Sequence, residues 1–146
     1  MKILFILKSE NFLAPLGMCV ISSIAKHKGY EVYLSEMNSE DTLERIARLR
    51  PEIVAYSAST GEAKHYIRLN ARIKERLPEV FSIMGGSHPT FFPEIIKETT
   101  LDAVCIGEGE GAFADLLDTL SLKRSDLKIP NIYTKASNSW QVRDLV

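Results

Sequence analysis

Only two cysteines occur in 146 residues, too few for a disulfide framework. Cys19 and Cys105 fall in separate apolar segments, not at the paired spacing of metal ligands, so both read as buried thiols of a reducing compartment. An excess of charge is equally lacking: 18 Lys and Arg against 19 Asp and Glu leave a net charge of −1. No polybasic footprint exists for nucleic acid, and no acidic tail. Apolar runs of the roughly 18 residues needed to span a membrane are absent. The start Met1 to Lys8 is too short for a signal peptide, so neither a membrane nor a nucleic-acid partner is expected and the localisation expected is cytoplasmic. Glycine is sparse after the first apolar run, where Lys8 to Gly17 holds one, and this excludes the dinucleotide and nucleoside triphosphate fingerprints. The third strand is followed by Ser57 and Ser59 where a phosphorylatable receiver needs Asp. No Gly-x-Ser-x-Gly elbow is present either, and no residue is assigned a catalytic or metal-binding role.

What is present is alternation. Short apolar runs at Ile3 to Leu7, Val32 to Glu36, Ile53 to Ala58, Val80 to Met84 and Ala103 to Ile106 predict five strands, most of them without polar alternation, as for strands covered on both faces. Amphipathic stretches separate them. Leu16, Cys19, Val20, Ser23 and Ile24 predict one buried helix face; Ala63, Tyr66, Ile67, Asn70, Ile73 and Leu77 predict another. Leu43, Ile46 and Ala47, then Ile95 and Ile96, then Phe113, Leu116, Leu117 and Leu120 mark three more helices. Gly29 suits a helix C′ position, and Ser59-x-x-Glu62 has the form of a capping box. The expected fold is α/β, a flavodoxin-like or Rossmann-like doubly wound sheet of five mainly parallel strands with helices on both faces. Its domain spans residues 1–122. Residues 123–146 read as a linker with a hairpin, Ile129 to Thr134 against Trp140 to Val142.

In such a sheet the ligand sits at the carboxyl ends of the strands. There the chain places Ser57, Ala58, Ser59 and Thr60, then Gly85, Gly86, Ser87 and His88, then Gly107, Glu108, Gly109 and Glu110. Small, polar and glycine-rich, these segments form a broad ledge suited to a large ligand rich in amides and hydroxyls. Plain helix capping and ordinary turns account for each segment taken singly. Phe91 and Phe92 are expected in the core, with a place near a ligand as the alternative, while His27 and His65 are expected on solvated helix faces.

Taken in order, Pro15-Leu16-Gly17, Gly29-Tyr30-Glu31-Val32, Gly85-Gly86-Ser87-His88-Pro89-Thr90-Phe91-Phe92-Pro93-Glu94 and Asp102-x-x-x-x-Gly107-Glu108-Gly109-Glu110 resemble the cobalamin-binding domain that precedes the radical S-adenosylmethionine domain in cobalamin-dependent radical enzymes. The resemblance implies that Ser57, Ser59 and Thr60 border the corrin and its nucleotide tail. Gly85 and Gly86 would give the tail room, and Gly107 to Glu110 would line its other side. Leu13, Ala14, Pro15 and Leu16 would lie beneath the corrin. Many cobalamin domains carry Asp-x-His-x-x-Gly after the first strand; here no histidine stands between Lys8 and Gly17, so the implied cofactor has its base displaced and no histidine on cobalt. His88 is read as a tail contact. The S-adenosylmethionine and the iron–sulfur cluster, which needs Cys-x-x-x-Cys-x-x-Cys, would belong to a radical domain absent from this sequence, on the same polypeptide or a separate chain. The implied parent reaction is methyl transfer or a cyclase-type rearrangement. Competing readings are a flavodoxin-like sensor for another ligand such as a flavin, and a degenerate docking domain.

Overall fold

The computed structural model describes residues 1–8, 15–37 and 39–137. Along the chain run β1 (Lys2–Leu7), α1 (Leu16–His27), β2 (Glu31–Glu36), α2 (Ser39–Leu49), β3 (Ile53–Ser57), α3 (Thr60–Arg76) and β4 (Phe81–Gly85). There follow α4 (Ser87–Phe91), α5 (Ile95–Glu98), β5 (Ala103–Cys105), α6 (Glu110–Ser121) and β6 (Ile132–Thr134). The sheet order is β2-β1-β3-β4-β5-β6, with β1 to β5 parallel and β6 antiparallel to β5.

The sixth strand corrects the expected five. Ile132 to Thr134, assigned from sequence to a hairpin arm, pairs instead with β5, Cys105 opposite Ile132 and Val104 opposite Tyr133. Pairing with β5 buries Ile132 and Tyr133 and covers a strand edge that would otherwise be open. The proposed second arm, Trp140 to Val142, lies outside the described residues.

Strand alternation divides the core into two. Ile3, Phe5, Ile53, Ala55, Ile83, Ala103 and Cys105 pack with α1 and α6 on one side of the sheet. On the other, Leu4, Ile6, Val54, Tyr56, Met84 and Val104 pack with α2 and α3. Burial on both faces is why these strands read as nearly continuous apolar runs. None of the helices of the described residues is long and apolar enough to cross a membrane.

Helix α1 turns a different face inward from the one expected. Met18 and Ala25 are buried and Ile21 packs against the core, whereas Leu16, Cys19 and Val20 are exposed. The segment Leu16 to Ala25 is apolar almost all round, so helical period admits two stripes; contact with the sheet and α6 selects the one bearing Ala25, small enough for close approach. Cys19 is therefore an exposed thiol and Cys105 a buried one. Ala47 of α2 is exposed as well. Segment 87–98 forms two short helices where one was expected, and Pro89 fits the first turn of α4 because no intrahelical partner awaits its missing N–H.

The predicted helix ends hold. Gly29 takes φ +84°, and the N–H groups of Gly29 and Tyr30 close on the carbonyls of Lys26 and Ala25 at 2.9 and 3.1 Å, the Schellman arrangement. Glu62 Oε2 accepts from the Ser59 N–H at 3.1 Å and from its hydroxyl at 2.9 Å.

At the opposite end of the sheet from the ledge, Asp102 fastens β4 to β5. Its carboxylate accepts from the Ser82 N–H at 2.7 Å, from the Ser82 hydroxyl at 3.1 Å and from Lys74 Nζ. Asp102→Ala leaves the Ser82 N–H and a half-buried ammonium without that acceptor. We expect it to lower unfolding free energy by about 1–3 kcal/mol, read as a reduced urea midpoint at unchanged slope.

Candidate cofactor site

Between the carboxyl ends of β1, β3, β4 and β5 and the helices α1 and α6 lies a cleft of about 180 Å³. Its floor is one face of the sheet. Phe5 faces Ala55 and Ala55 faces Ile83 across the strands. One step nearer the strand ends, Ser57 faces Gly85, and a Cβ on Gly85 would lie 3.7 Å from Cys105 Cβ. On β3, β4 and β5 that outer row holds nothing larger than Cys, which leaves a slot where ordinary core residues would fill the space. Met18 and Ile21 of α1 and Phe113 of α6 form the walls. Phe113 packs on Phe5 with ring centroids 6.1 Å apart. The mouth carries Gly107, Glu108, Gly109 and Glu110.

Glycine keeps the slot open at two positions by different means. At Gly109 an added Cβ would come within 3.1 Å of Ile21 Cδ1 and 3.7 Å of Cys105 Sγ, narrowing the opening between α1 and α6. At Gly86 the backbone has φ +98° and a Cβ would stand 2.7 Å from the Ala58 carbonyl oxygen. That close approach lets two loops join by backbone: the Ala58 N–H donates to the Gly85 carbonyl and the His88 N–H to the Ala58 carbonyl, each at 2.9 Å. Thr90 extends the link to the third loop. Its hydroxyl donates to the Gly86 carbonyl at 2.8 Å and accepts from the Gly107 N–H at 3.0 Å. Just before β6, Asn131 Nδ2 donates to the Glu108 carbonyl at 3.2 Å.

Seven of the residues expected at the site line the slot: Ser57, Gly85, Gly86, Gly107, Glu108, Gly109 and Glu110. Ala58 is buried behind Gly86. Ser59, Thr60 and Ser87 are exposed beside it on the rim, and His88 Nδ1 lies 3.3 Å from Thr60 Oγ1. Pro15 and Leu16 are exposed at the start of α1, with Leu16 82% accessible; Leu13 and Ala14 lie outside the described residues. Phe91 and Phe92 are not core residues, being 74% and 44% exposed. The single turn of α4 directs Pro89 inward and leaves both rings outward, Phe92 against His88 with centroids 5.3 Å apart.

Sequence reasoning missed Thr90 as the tie between loops, and Phe5, Met18, Ile21 and Phe113 as walls. One signal was available. Ala55-x-Ser57, Ile83-x-Gly85 and Ala103-x-Cys105 each place a small residue on the same face at the strand end. Cys105 also passed as mere packing. Burial, and then the nearby carboxylates of Glu110 and Glu108, push its thiol up to about 12, so it faces the slot as a neutral group and is no nucleophile at neutral pH. Behind the sheet, Tyr66 accepts a hydrogen bond from the Lys8 N–H at 2.7 Å, anchoring the point where the loop after β1 leaves the sheet. No trio of His, Cys, Asp or Glu gathers to hold a metal ion among the described residues.

Gly86→Ala is expected to cost about 2 kcal/mol or more, because it meets both a left-handed backbone and the Ala58 backbone. Gly107→Ala, at φ +70° but facing open space, should cost only about 1 kcal/mol; parallel denaturant melts check the difference. Thr90→Val retains shape and removes both hydroxyl bonds. It should lower stability by about 1 kcal/mol and speed amide exchange at Gly107.

Comparison with known proteins adds the following. The family model described as "B12 binding domain" matches residues 3–117. An uncharacterized methyltransferase of Pyrococcus horikoshii is 36% identical over 118 residues, covering 75% of this chain and 25% of the relative. The hopanoid C-3 methylase of Methylococcus capsulatus is 29% identical over 127 residues, 82% of this chain and 25% of the relative. Among solved structures, the cobalamin-dependent S-adenosylmethionine radical enzyme OxsB with aqua-cobalamin bound superposes with a TM-score of 0.78 at 21% identity, over 99% of this chain and 22% of that one. The radical S-adenosylmethionine methyltransferase TsrM of Kitasatospora setae gives 0.74 at 16% identity, over 97% and 30%. The chain thus spans about a quarter of the length of the curated relatives it matches.

Proposed function

Since the chain belongs to the B12-binding domain family, we propose that its slot takes the nucleotide tail of cobalamin while the corrin lies across the rim. The observation that carries this reading is the row Ser57, Gly85 and Cys105 beneath the glycines at 86 and 109: a long narrow group enters where any larger side chain would close the cleft. Gly85, Gly86, Ser57 and Cys105 flank the tail from the sheet, and Gly107 to Glu110 flank it from the α6 side. Ser59, Thr60 and Ser87 meet the corrin edge or its amides, His88 meets the tail where it enters the slot, and Pro15 and Leu16 lie below the ring. The carboxylates of Glu108 and Glu110 accept from amide and hydroxyl donors, which a corrin and its tail carry in number.

Bound cobalamin supplies a cobalt centre able to carry a methyl group or to exchange electrons. This chain's residues hold and orient it. With no histidine from Lys8 to Gly17, and with His88 engaged at the rim by Thr60 and Phe92, the loop after β1 and the rim would offer the cofactor no histidine. Cobalamin would then be held with its base detached and its tail in the slot. The chain acts as one module of a longer radical S-adenosylmethionine enzyme of methyltransferase or cyclase type, whose radical domain holds S-adenosylmethionine and an iron–sulfur cluster. The module proper runs past residue 122 to take in β6 (Ile132–Thr134), which completes its sheet. A cytoplasmic setting suits the free thiols at Cys19 and Cys105. Family membership gives a flavin no support.

Two measurements test this. After mixing with hydroxocobalamin and, separately, with flavin mononucleotide, desalted protein is expected to keep the corrin absorbance and lose the flavin. On reduction to Co(II), the paramagnetic resonance spectrum should lack nitrogen splitting from an axial ligand. A nitrogen-split signal would overturn the absence of a lower ligand, and loss of the corrin would overturn the assignment itself.

A further inference from the structure

We infer that Tyr66 is a positioning residue for the cofactor: its buried hydroxyl fixes the end of β1 at the point where the sheet opens beneath the ledge. The inference rests on the cobalamin reading above and adds to it a residue outside the slot. Its ground is a mismatch among the strand pairs. β1 and β2 stay paired as far as Leu7 and Glu36, and β3 and β4 as far as Ser57 and Gly85, but β1 and β3 part after Ile6 and Tyr56. The order β2-β1-β3 reverses the direction of the chain there, and a crevice opens at such a switch point. On the β2 side the Leu7 carbonyl still accepts from the Met37 N–H at 2.6 Å. The next donor along β1, the Lys8 N–H, is met by Tyr66 Oη at 2.7 Å. A side chain from α3 thus stands in where the pairing with β3 has ended.

Tyr66 is only 1% exposed, and its ring packs against that of Tyr56 with centroids 5.3 Å apart, so the hydroxyl is held in place and does not follow a strand that moves. Phenylalanine would serve the packing equally well; the oxygen adds the bond to Lys8. That bond also completes a series of ties. Thr90 joins the loops after β4 and β5, and Ala58 joins those after β3 and β4, but neither reaches β1. Helix α3 starts at Thr60, close behind the Ala58 contacts, and carries Tyr66. Through Tyr66 the exit of β1 is held against the same rim. A corrin lying between Thr60 and Ser87 on one side and Pro15 and Leu16 on the other needs those sides at a constant spacing. Without the hydroxyl the Lys8 N–H loses that acceptor, and the end of β1 can shift relative to the rim.

The test compares Tyr66→Phe, which keeps the ring, with Ser82→Ala, which removes the hydroxyl bonds to Asp102 at the far end of the sheet. Hydroxocobalamin is titrated into each full chain; ultrafiltration gives the affinity, and visible circular dichroism reads how the bound corrin is seated. Tyr66→Phe should bind roughly threefold to tenfold more weakly than the parent chain, the worth of one hydrogen bond, with an altered visible dichroism and faster amide exchange at Lys8. Ser82→Ala should lower the urea midpoint yet keep the parent affinity and dichroism. Unchanged affinity and dichroism in Tyr66→Phe overturn the inference, and so does an equal loss in Ser82→Ala, which would leave Tyr66 a merely structural residue. Should Tyr66→Phe fail to fold by far-ultraviolet dichroism, the same bond is cut from its other side: Lys8→Pro removes the N–H, whereas Lys8→Ala keeps it. Lys8→Pro should then bind several-fold more weakly than Lys8→Ala, and equal affinities overturn the inference. A parent chain that retains no cobalamin overturns the cobalamin reading and the cofactor role of Tyr66 with it, a different failure, since exchange at Lys8 still reports whether the strand end is held.

Discussion

The architecture of the ledge depends on one close approach, the backbone of Gly86 against the backbone of Ala58. With φ at +98° and no room for a Cβ, this contact lets the turn after β3 and the turn after β4 share hydrogen bonds through Ala58, Gly85 and His88. Thr90 then carries the connection to Gly107, so loops that leave three separate strands become one rim. A rim already held by its own hydrogen bonds loses little further freedom when a ligand settles on it, and that reduces the entropic cost of binding. The same bonds occupy the carbonyls nearest the opening. Rigidity and an apolar interior are thus two outcomes of a single arrangement.

Charge is distributed to match. The interior carries no ionised side chain, because Cys105 is held protonated by burial and by the carboxylates near it. Both carboxylates sit at the mouth, where water reaches them, and Glu110 opens α6, whose N-terminal end favours a negative charge. A ligand inserted tail first would leave its hydrogen-bond donors among these carboxylates and bury its least polar part below. Opposite in character is the far end of the sheet, where Lys74, Asp102 and Ser82 form a charged hydrogen-bonded clamp. The Asp of the recognised Asp102 to Glu110 segment therefore acts in folding, and its glycines and glutamates face the slot.

Much of this was legible in the sequence because it rests on local chemistry. Apolar runs marked β1 to β5, Gly29 marked the end of α1, and Ser59 with Glu62 marked the start of α3. The glycine-rich strand ends, read together, pointed to the ledge. What escaped notice rested on tertiary choice. Two apolar stripes on α1 satisfy the helical period, and only the shape of the sheet and α6 selects Met18, Ile21 and Ala25. Ile132 to Thr134 has no local sign that its partner is β5, distant in sequence. Phe91 and Phe92 read as core because aromatics are usually buried, yet a one-turn helix with Pro89 inward has no second buried face to offer them. The walls of the slot were missed for a related reason: Phe5, Ile83 and Phe113 are core by composition, and only the small residues beside them make an opening.

Those small residues also bear on how the work is divided on the proposed reading. A core row of Ser57, Gly85 and Cys105 forgoes buried apolar volume, and unfilled space in a core costs stability. The sheet recovers packing elsewhere, through β6 on its edge and the Phe5–Phe113 contact at the inner end of the slot. Such a sacrifice is understandable if a ligand completes the core, since whatever binds only the folded chain also stabilises it. With the tail as part of that core, the corrin is presented from a fixed base, and the residues around it have only to hold it. The selection of a substrate then falls to whatever meets the opposite face of the ring, and the ledge itself needs no catalytic group.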